Sequence, residues 1–191
     1  KGKPELLVWS IPAFVLAISM SMWIYLPASS YTPFSIRGAD GGGGAGLEYA
    51  TQWSFSIGEM LTFINPSYYG FGGATYWGNM PFTDYPNYMG IIVLFFSIIG
   101  ILKSKDKIKY FFILVLFFSL IISFGKNMSF VYSFFYNWFP FFNKFRVPVM
   151  ILVLFQFIVC IFAAYGLDTV IKNRNDKGTS IILYSFSAIV I

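Results

Sequence analysis

The chain has 191 residues, of which 57% are hydrophobic, 22% aromatic and only 11% charged, with a formal net charge of +5. Soluble domains carry about 25% charged residues, so this composition excludes an ordinary soluble protein and favours a bilayer. There is no histidine, and the single cysteine, Cys160, lies in an apolar run. Histidine-based catalysis, an internal disulfide and a cysteine-based metal site are therefore excluded for this sequence.

Apolar runs predict an all-α polytopic membrane protein with about five transmembrane helices, because about 20 apolar residues cross the hydrocarbon core. The chain begins with Lys1 rather than Met and ends inside an apolar run, so we expect an internal piece of a larger protein whose last helix is cut off. The predicted spans, in chain order, are about 6–27, 88–102, 108–125, 147–171 and 179–191.

The lysines and arginines orient these spans. Nine of the 13 form three clusters beside the ends of apolar runs: Lys1 and Lys3; Lys103, Lys105, Lys107 and Lys109; Lys172, Arg174 and Lys177. The positive-inside rule makes the clustered side cytoplasmic. Residues 1–5, 103–107 and 172–178 are then cytoplasmic, and residues 28–87 and 126–146 are extracytoplasmic. Because the excess charge lies in turns between spans, no nucleic-acid partner is expected.

The long first outer segment has two halves. Residues 36–46 form a flexible Gly-rich tract, and a phosphate-binding loop is disfavoured because no strand precedes it and no GK[ST] follows. Residues 47–88 mix aromatic residues, Gly and Pro, which predicts an ordered cap against the membrane. In this cap Ser56 to Ile64 can form a short helix, and Ser56 with Glu59 matches a capping box. Glu59 is therefore either a cap or a ligand-binding residue.

The second outer segment is dense in aromatic residues. Ten lie between Lys126 and Pro148, a density that suits an interfacial belt or a re-entrant hairpin at headgroup level. Pro148 is expected among the first residues of the following helix.

Three outward cations are candidate ligands for a phosphate. Lys144 and Arg146 precede a predicted helix N-terminus, whose free N–H groups and dipole favour anions. Arg37 stands at the foot of the first outer segment. The alternative is that these side chains reach lipid headgroups or pair with acids of the cap.

The outer acids are widely spaced. Asp40, Glu48, Glu59 and Asp84 are at least about eight residues apart, so no DxD-type metal pair is present and a divalent-metal cofactor is not supported. Asp84, among aromatics and prolines, can orient a sugar or hold a turn, and the turn is favoured. Asp168 is expected to cap its helix or pair with Lys172.

Several strings resemble the YfhO family of bacterial polytopic membrane proteins, in the family's order and spacing. They are IRG, YATQWSFSIGEMLTFINPSYYG, YWGNMPFTDYPNYMG, a turn into GK, and FPFFNKFRVPVMILV. The likeness covers nearly all of Tyr25 to Asp168 and corresponds to the middle portion of the family. The matching candidate residues are Arg37, Trp53, Glu59, Trp77, Asp84, Lys144 and Arg146.

The resemblance implies a GT-C-like architecture in the bacterial inner (cytoplasmic) membrane. It also implies glycosyl transfer from a sugar on undecaprenyl phosphate to cell-envelope polymers such as lipoteichoic acid. The catalytic acid of such enzymes lies in an earlier outer loop, so we expect it outside this sequence and expect the residues above to bind lipid phosphate or sugar.

Two other functions are open. One is a non-catalytic membrane subunit of an envelope-assembly or secretion complex, in which the cap contacts a protein partner. The other is a lipid-carrier transporter, in which the intramembrane Gln156 would matter more.

Overall fold

The computed structural model describes residues 4–35, 46–84 and 86–173, with side chains from Val8 onward. The regular secondary structure of these residues is helical, with an isolated bridge between Tyr68 and Gly70 and no β-strand. Short 3₁₀ helices and turns join the six α-helices of the described ranges: α1 (Pro4–Tyr31), α2 (Leu47–Ala50), α3 (Ile91–Lys103), α4 (Ile108–Ser123), α5 (Ser129–Trp138) and α6 (Leu152–Lys172).

Helix α1 is apolar on every side and exposed along its whole described length. Its serines do not offer free hydroxyls to the surroundings, because Ser19 and Ser21 each donate to the carbonyl four residues earlier. Two prolines, Pro12 and Pro27, lie inside it. A helix without a polar face suits a lipid environment.

Helices α3, α4 and α6 pack together. The start of α3 lies beside the start of α6, because Met89 N–H donates to Phe63 O and the Phe63 ring stacks on Phe155. Further along, Gly100 of α3 faces Gly166 of α6, and a Cβ on either would collide with the backbone of the other helix. Helices α3 and α6 therefore run parallel in close contact, as small residues allow in membrane proteins.

Helix α4 runs antiparallel to α6. Phe112, near its start, contacts Phe162 well along α6, while Gly125, just beyond its end, lies against Pro148. Three serines at the helix contacts, Ser97, Ser119 and Ser123, are buried and donate to carbonyls three residues earlier. Their hydroxyls are satisfied locally, so they act as small packing residues.

One apolar cluster joins the cap to this helix group. Phe55 and Phe63 of the cap stack on each other, Phe55 also stacks on Phe124, and Phe63 stacks on Phe155. Backbone hydrogen bonds then fix the cap to the ends of α4 and α6. Phe55 N–H donates to the free C-terminal carbonyl of Ser123, which a helix end leaves unpaired. The cap is therefore an integral part of this end of the helix group.

The predicted cations separate between the two ends. Lys103 and Lys172 lie at the last turns of the parallel helices α3 and α6, and Lys109 donates to the Ser104 carbonyl at the same end. Lys126 and Arg146 lie at the cap end, where the Lys126 backbone N–H donates to Ser54 Oγ and the Arg146 guanidinium lies over the Trp53 ring. This arrangement agrees with the orientation expected from the charge pattern, while the membrane topology itself stays a prediction.

Two described helical stretches are long and apolar enough to cross a membrane: Val8–Phe34 and Pro148–Lys172. A third arises if Ile108–Ser123 and Gly125–Trp138, bent by 108°, count as one span. Helix α3, at about 20 Å, is shorter than the roughly 30 Å hydrocarbon core. The predicted span 179–191 lies outside the described residues, and the number of five spans and the GT-C-like arrangement stay predictions.

Candidate functional site

A cavity of about 640 Å³ opens between the cap and the first turns of α6. Its volume is in the range of small-molecule sites, about 300–1,000 Å³. One part of its wall is polar: Thr83, Asp84, Asn87, Arg146 and Gln156. The other part is apolar: Trp53, Phe82, Val147, Val149, Met150, Leu152 and Val153. Such a divided wall suits an amphipathic ligand.

The Arg146 guanidinium is held by aromatic rings rather than by an acid. Its Cζ lies 3.9 Å from the ring centre of Tyr49 and 4.4 Å from that of Trp53, which are favourable cation–π distances. Its Nη1 donates to the Tyr49 hydroxyl at 2.5 Å, and Nη2 lies 3.4 Å from Gln52 Oε1. Within the described ranges, no carboxylate lies within 4.0 Å of it.

Arg146 also has hydrogen-bonding capacity left over. Its Nε–H finds no acceptor among the described residues, but this group is buried and does not reach the cavity. The bonds to Tyr49 and Gln52 use one N–H of Nη1 and one of Nη2, so each Nη keeps a second N–H for a ligand. A guanidinium offers five N–H donors in a planar fork that matches two oxygens of a phosphate or carboxylate. A partly buried cation at a cavity wall that has no carboxylate partner among the described residues can therefore bind an anion.

The backbone beside Arg146 is strained. Val147 has φ 65° and ψ 72°, a left-handed conformation that is rare for a β-branched residue and disfavoured before proline. Such residues cost roughly 1–3 kcal/mol and persist where the surrounding structure fixes them. Here Val147 N–H donates to Ala50 O and Val149 N–H to Trp53 O, so the cap holds the strained turn that positions Arg146.

Trp53 forms the wall between Arg146 and the loop that carries Asp84. Its indole N–H donates to Phe82 O at 3.1 Å, and the two rings meet edge to face at 5.2 Å. Asp84 is exposed at the cavity, and its carboxylate makes no hydrogen bond or ion pair with a described residue. The turn-holding role favoured from the sequence stays a prediction.

Glu59 has a structural role. Ser56 N–H donates to Glu59 Oε2 at 2.8 Å and Glu59 N–H to Ser56 Oγ at 3.2 Å, so the predicted capping box is confirmed at the 3₁₀ helix Gly58–Phe63. The second carboxylate oxygen accepts from the Tyr76 hydroxyl. Both oxygens of this buried carboxylate are thus used within the protein.

A second cavity, of about 10 Å³, lies against Glu59 and Tyr76 and has room for about one water molecule. It shares Thr83 and Asn87 with the large cavity. The Glu59–Tyr76 contact therefore supports the loop behind the large cavity, and Glu59 is not part of the large cavity's wall.

The structure brings together three of the seven candidate residues, Trp53, Asp84 and Arg146. Lys144 is partly buried but lines neither cavity. Trp77 packs instead on Tyr69, with ring centres 4.6 Å apart, in an exposed aromatic cluster with Tyr68. Arg37 lies outside the described residues. The expected pairing of Asp168 with Lys172 is confirmed at 2.7 Å.

The sequence analysis did not single out Tyr49 and Gln52, which contact the Arg146 guanidinium alongside Trp53. Tyr49, Gln52 and Trp53 are spaced i, i+3 and i+4, the spacing of neighbours on a helix, and in the structure they lie at the end of α2 and in the turn that follows it. That spacing was visible in the sequence. Their arginine partner was not, because it lies more than 90 positions away.

Within the described ranges, no group of three or more histidine, cysteine, aspartate or glutamate side chains is placed to hold a metal ion. Comparison of the chain with protein-family models, with curated proteins and with solved structures finds no match.

Proposed function

We propose that this chain is part of a bacterial inner-membrane glycosyltransferase that uses a polyprenyl-phosphate sugar at the outer face to modify a cell-envelope polymer. The observation that supports this function most directly is the Arg146 guanidinium, which lies at the wall of a large cavity and has no carboxylate partner in the described part of the chain. The resemblance of the surrounding strings to the YfhO family supports the same function.

The cavity offers each part of such a ligand a suitable wall. Arg146 would bind the phosphate through two N–H groups. Val149, Met150 and Val153, at the start of a helix long enough to span a membrane, would contact the first prenyl units. Asp84 and Asn87 face the same space and can hydrogen bond to sugar hydroxyls.

The transfer step would invert the configuration at the anomeric carbon of the sugar. The acceptor oxygen forms a bond to the anomeric carbon while the bond from that carbon to the phosphate oxygen breaks, and the electron pair leaves on the phosphate. Arg146 stabilises that developing charge. The acceptor proton passes to a carboxylate base, which the family resemblance implies in an outer loop beyond this sequence.

A lipid-carrier transporter is the second candidate, and one observation favours it. Gln156 lines the same cavity one turn deeper in α6 than Leu152. At that depth the Gln156 amide could hydrogen bond to a lipid headgroup that moves into the membrane. Both candidates require lipid-phosphate binding, and only the first requires sugar transfer.

The test measures binding of undecaprenyl phosphate to the full-length protein in nanodiscs. Arg146→Gln should weaken binding at least about tenfold, because charge-assisted hydrogen bonds contribute about 1.5–3 kcal/mol. Lys144→Gln is the matched control, since it removes the same charge outside the cavity and should change affinity less than about twofold.

Equal losses in the two variants would mean general attraction of anions, and no loss in Arg146→Gln would sink the proposal. Undecaprenol, which lacks the phosphate, should bind the wild type and Arg146→Gln equally. Sugar transfer by the wild-type protein that Arg146→Gln reduces supports the enzyme. Lipid movement without transfer supports the transporter.

A further inference from the structure

Helix α5 carries a stripe of exposed aromatic rings that no described residue covers. Phe130 is 85% exposed, Phe134 57% and Trp138 79%, and their spacing of four residues places them on one face. The opposite face is packed. Tyr132 is 3% exposed, and Phe135 contacts Phe118 of α4 edge to face.

The direction of α5 follows from the bend that precedes it. The stretch Gly125–Trp138 is turned by 108° from α4, at Gly125. Gly125 has φ +46°, and a Cβ there would collide with Ser54, so the cap and the glycine fix this bend together. Since α4 is apolar and exposes Phe111, Leu114 and Phe117, its axis suits the membrane normal. Helix α5 then lies nearly in the membrane plane.

The charge of this segment matches a membrane surface. Residues 126–148 contain three cations and no aspartate or glutamate. Tyr49 and Trp53 hold Arg146 at the cavity, which leaves Lys126 and Lys144 as the cations available to headgroups. Anionic headgroups attract such segments, by about 1 kcal/mol for each basic residue near the surface. Tryptophan and phenylalanine on the apolar face are typical of helices that lie at the interface.

We propose that α5 is an in-plane interfacial helix whose stripe, Phe130, Phe134 and Trp138, inserts into the outer leaflet at the boundary between headgroups and acyl chains. Of the two structures expected for this segment, an interfacial belt and a re-entrant hairpin, the bend and the stripe favour the belt. The stripe residues lie outside the wall of the large cavity, so the membrane contact is a separate surface.

The test places spin labels on single cysteines in the full-length protein, reconstituted in nanodiscs of phosphatidylethanolamine and phosphatidylglycerol. The background is Cys160→Ser, which removes the native thiol. The labelled variants are Phe134→Cys on the stripe, Thr75→Cys on the exposed cap as the aqueous reference, and Phe157→Cys, exposed in the middle third of the candidate span Pro148–Lys172, as the deep reference. Oxygen and a water-soluble nickel chelate report depth.

The label at position 134 should be shallow but lipid-exposed, about 5–10 Å below the headgroups. Its oxygen accessibility should exceed that at position 75, and its nickel accessibility should exceed that at position 157. Accessibility equal to position 75 would place α5 in water, and equal to position 157 would make it part of a span. Protection from both reagents would reveal a protein partner or a second copy. Each of these three results overturns the proposal.

Discussion

The Glu59 carboxylate connects three segments of the cap through single hydrogen bonds. It accepts from Ser56 N–H and from the Tyr76 hydroxyl, and that hydroxyl in turn accepts from Met80 N–H at 2.9 Å. Burial of the phenol, followed by its hydrogen bond to Glu59, raises the pKa of Tyr76 far above its ordinary value. The neutral phenol is thus the form that the folded cap requires.

Tyr76→Phe should destabilise the protein by about 1–3 kcal/mol, because it leaves a buried carboxylate oxygen and the Met80 N–H without their partner. At roughly 2–4 °C per kcal/mol for a chain of this size, thermal unfolding in detergent would measure the loss. Tyr68→Phe, on a 43% exposed ring, is the control and should change little. An equal effect of the two substitutions would contradict this role of the Tyr76 hydroxyl.

The difference in stability between the wild-type protein and Tyr76→Phe should also depend on pH. A raised folded-state pKa gives stability that is fully present below the unfolded pKa and lost above it. The gap between wild type and Tyr76→Phe should therefore be constant from neutral pH to about pH 10 and shrink as the pH rises further. A gap that widens there would show that the phenolate is the favoured form.

Sequence predicts local residue contacts and misses distant ones. Ser56 and Glu59 are three positions apart, so their reciprocal hydrogen bonds could be expected from the capping-box pattern alone. The rings that hold Arg146 come from Tyr49 and Trp53, far away in the chain, and only the folded cap brings them together. Asp84 was expected to hold a turn because its neighbours are aromatic residues and prolines. Those neighbours could not predict that Asp84 lines a cavity, because the cavity forms only in the folded protein.

At the scale of elements, the contact between α3 and α6 depends on two glycines. Gly100 and Gly166 let the backbones touch, and neither is part of a repeated motif visible along the chain. The apolar runs predicted both helices, but a run that is apolar on all sides does not indicate which face of α3 packs against α6. The start of α3 was also expected at residue 88, and the helix begins at Ile91 after Gly90, whose φ is +89°.

Gly166→Val should disrupt this contact. The added side chain would overlap the Phe96 carbonyl oxygen of α3. Its nearest neighbours are all backbone atoms, so no flexible side chain can move aside. Overpacking typically costs about 1–3 kcal/mol, and close backbone contact places this site at the upper end. Thermal unfolding in detergent measures it.

Ala164→Val adds a similar group on the exposed face of the same helix, so it controls for helix propensity and should be nearly neutral. If both variants melt at the wild-type temperature, α3 and α6 do not pack through these glycines.

At the scale of the whole molecule, the described basic residues are distributed as the charge pattern of the sequence predicts. The cap, its cavity and α5 occupy one end of the helix group, and the described members of two basic clusters, Lys103, Lys109 and Lys172, occupy the other. Charge pattern could predict this separation because the positive-inside rule depends only on which turns carry lysine and arginine. The cavity could not be predicted, because it forms between a cap and a helix that are joined by tertiary contacts.

Orientation in the membrane is the prediction on which the outer-face functions depend. In the Cys160→Ser background, Thr75→Cys on the cap should react with a membrane-impermeant maleimide in intact spheroplasts, because that end carries few cations. Lys105→Cys, in the turn between α3 and α4, should react only after permeabilisation, because transfer of a basic turn across the membrane is disfavoured. The reverse labelling pattern would place the cavity in the cytoplasm, where a polyprenyl-phosphate sugar presented at the outer face could not reach Arg146.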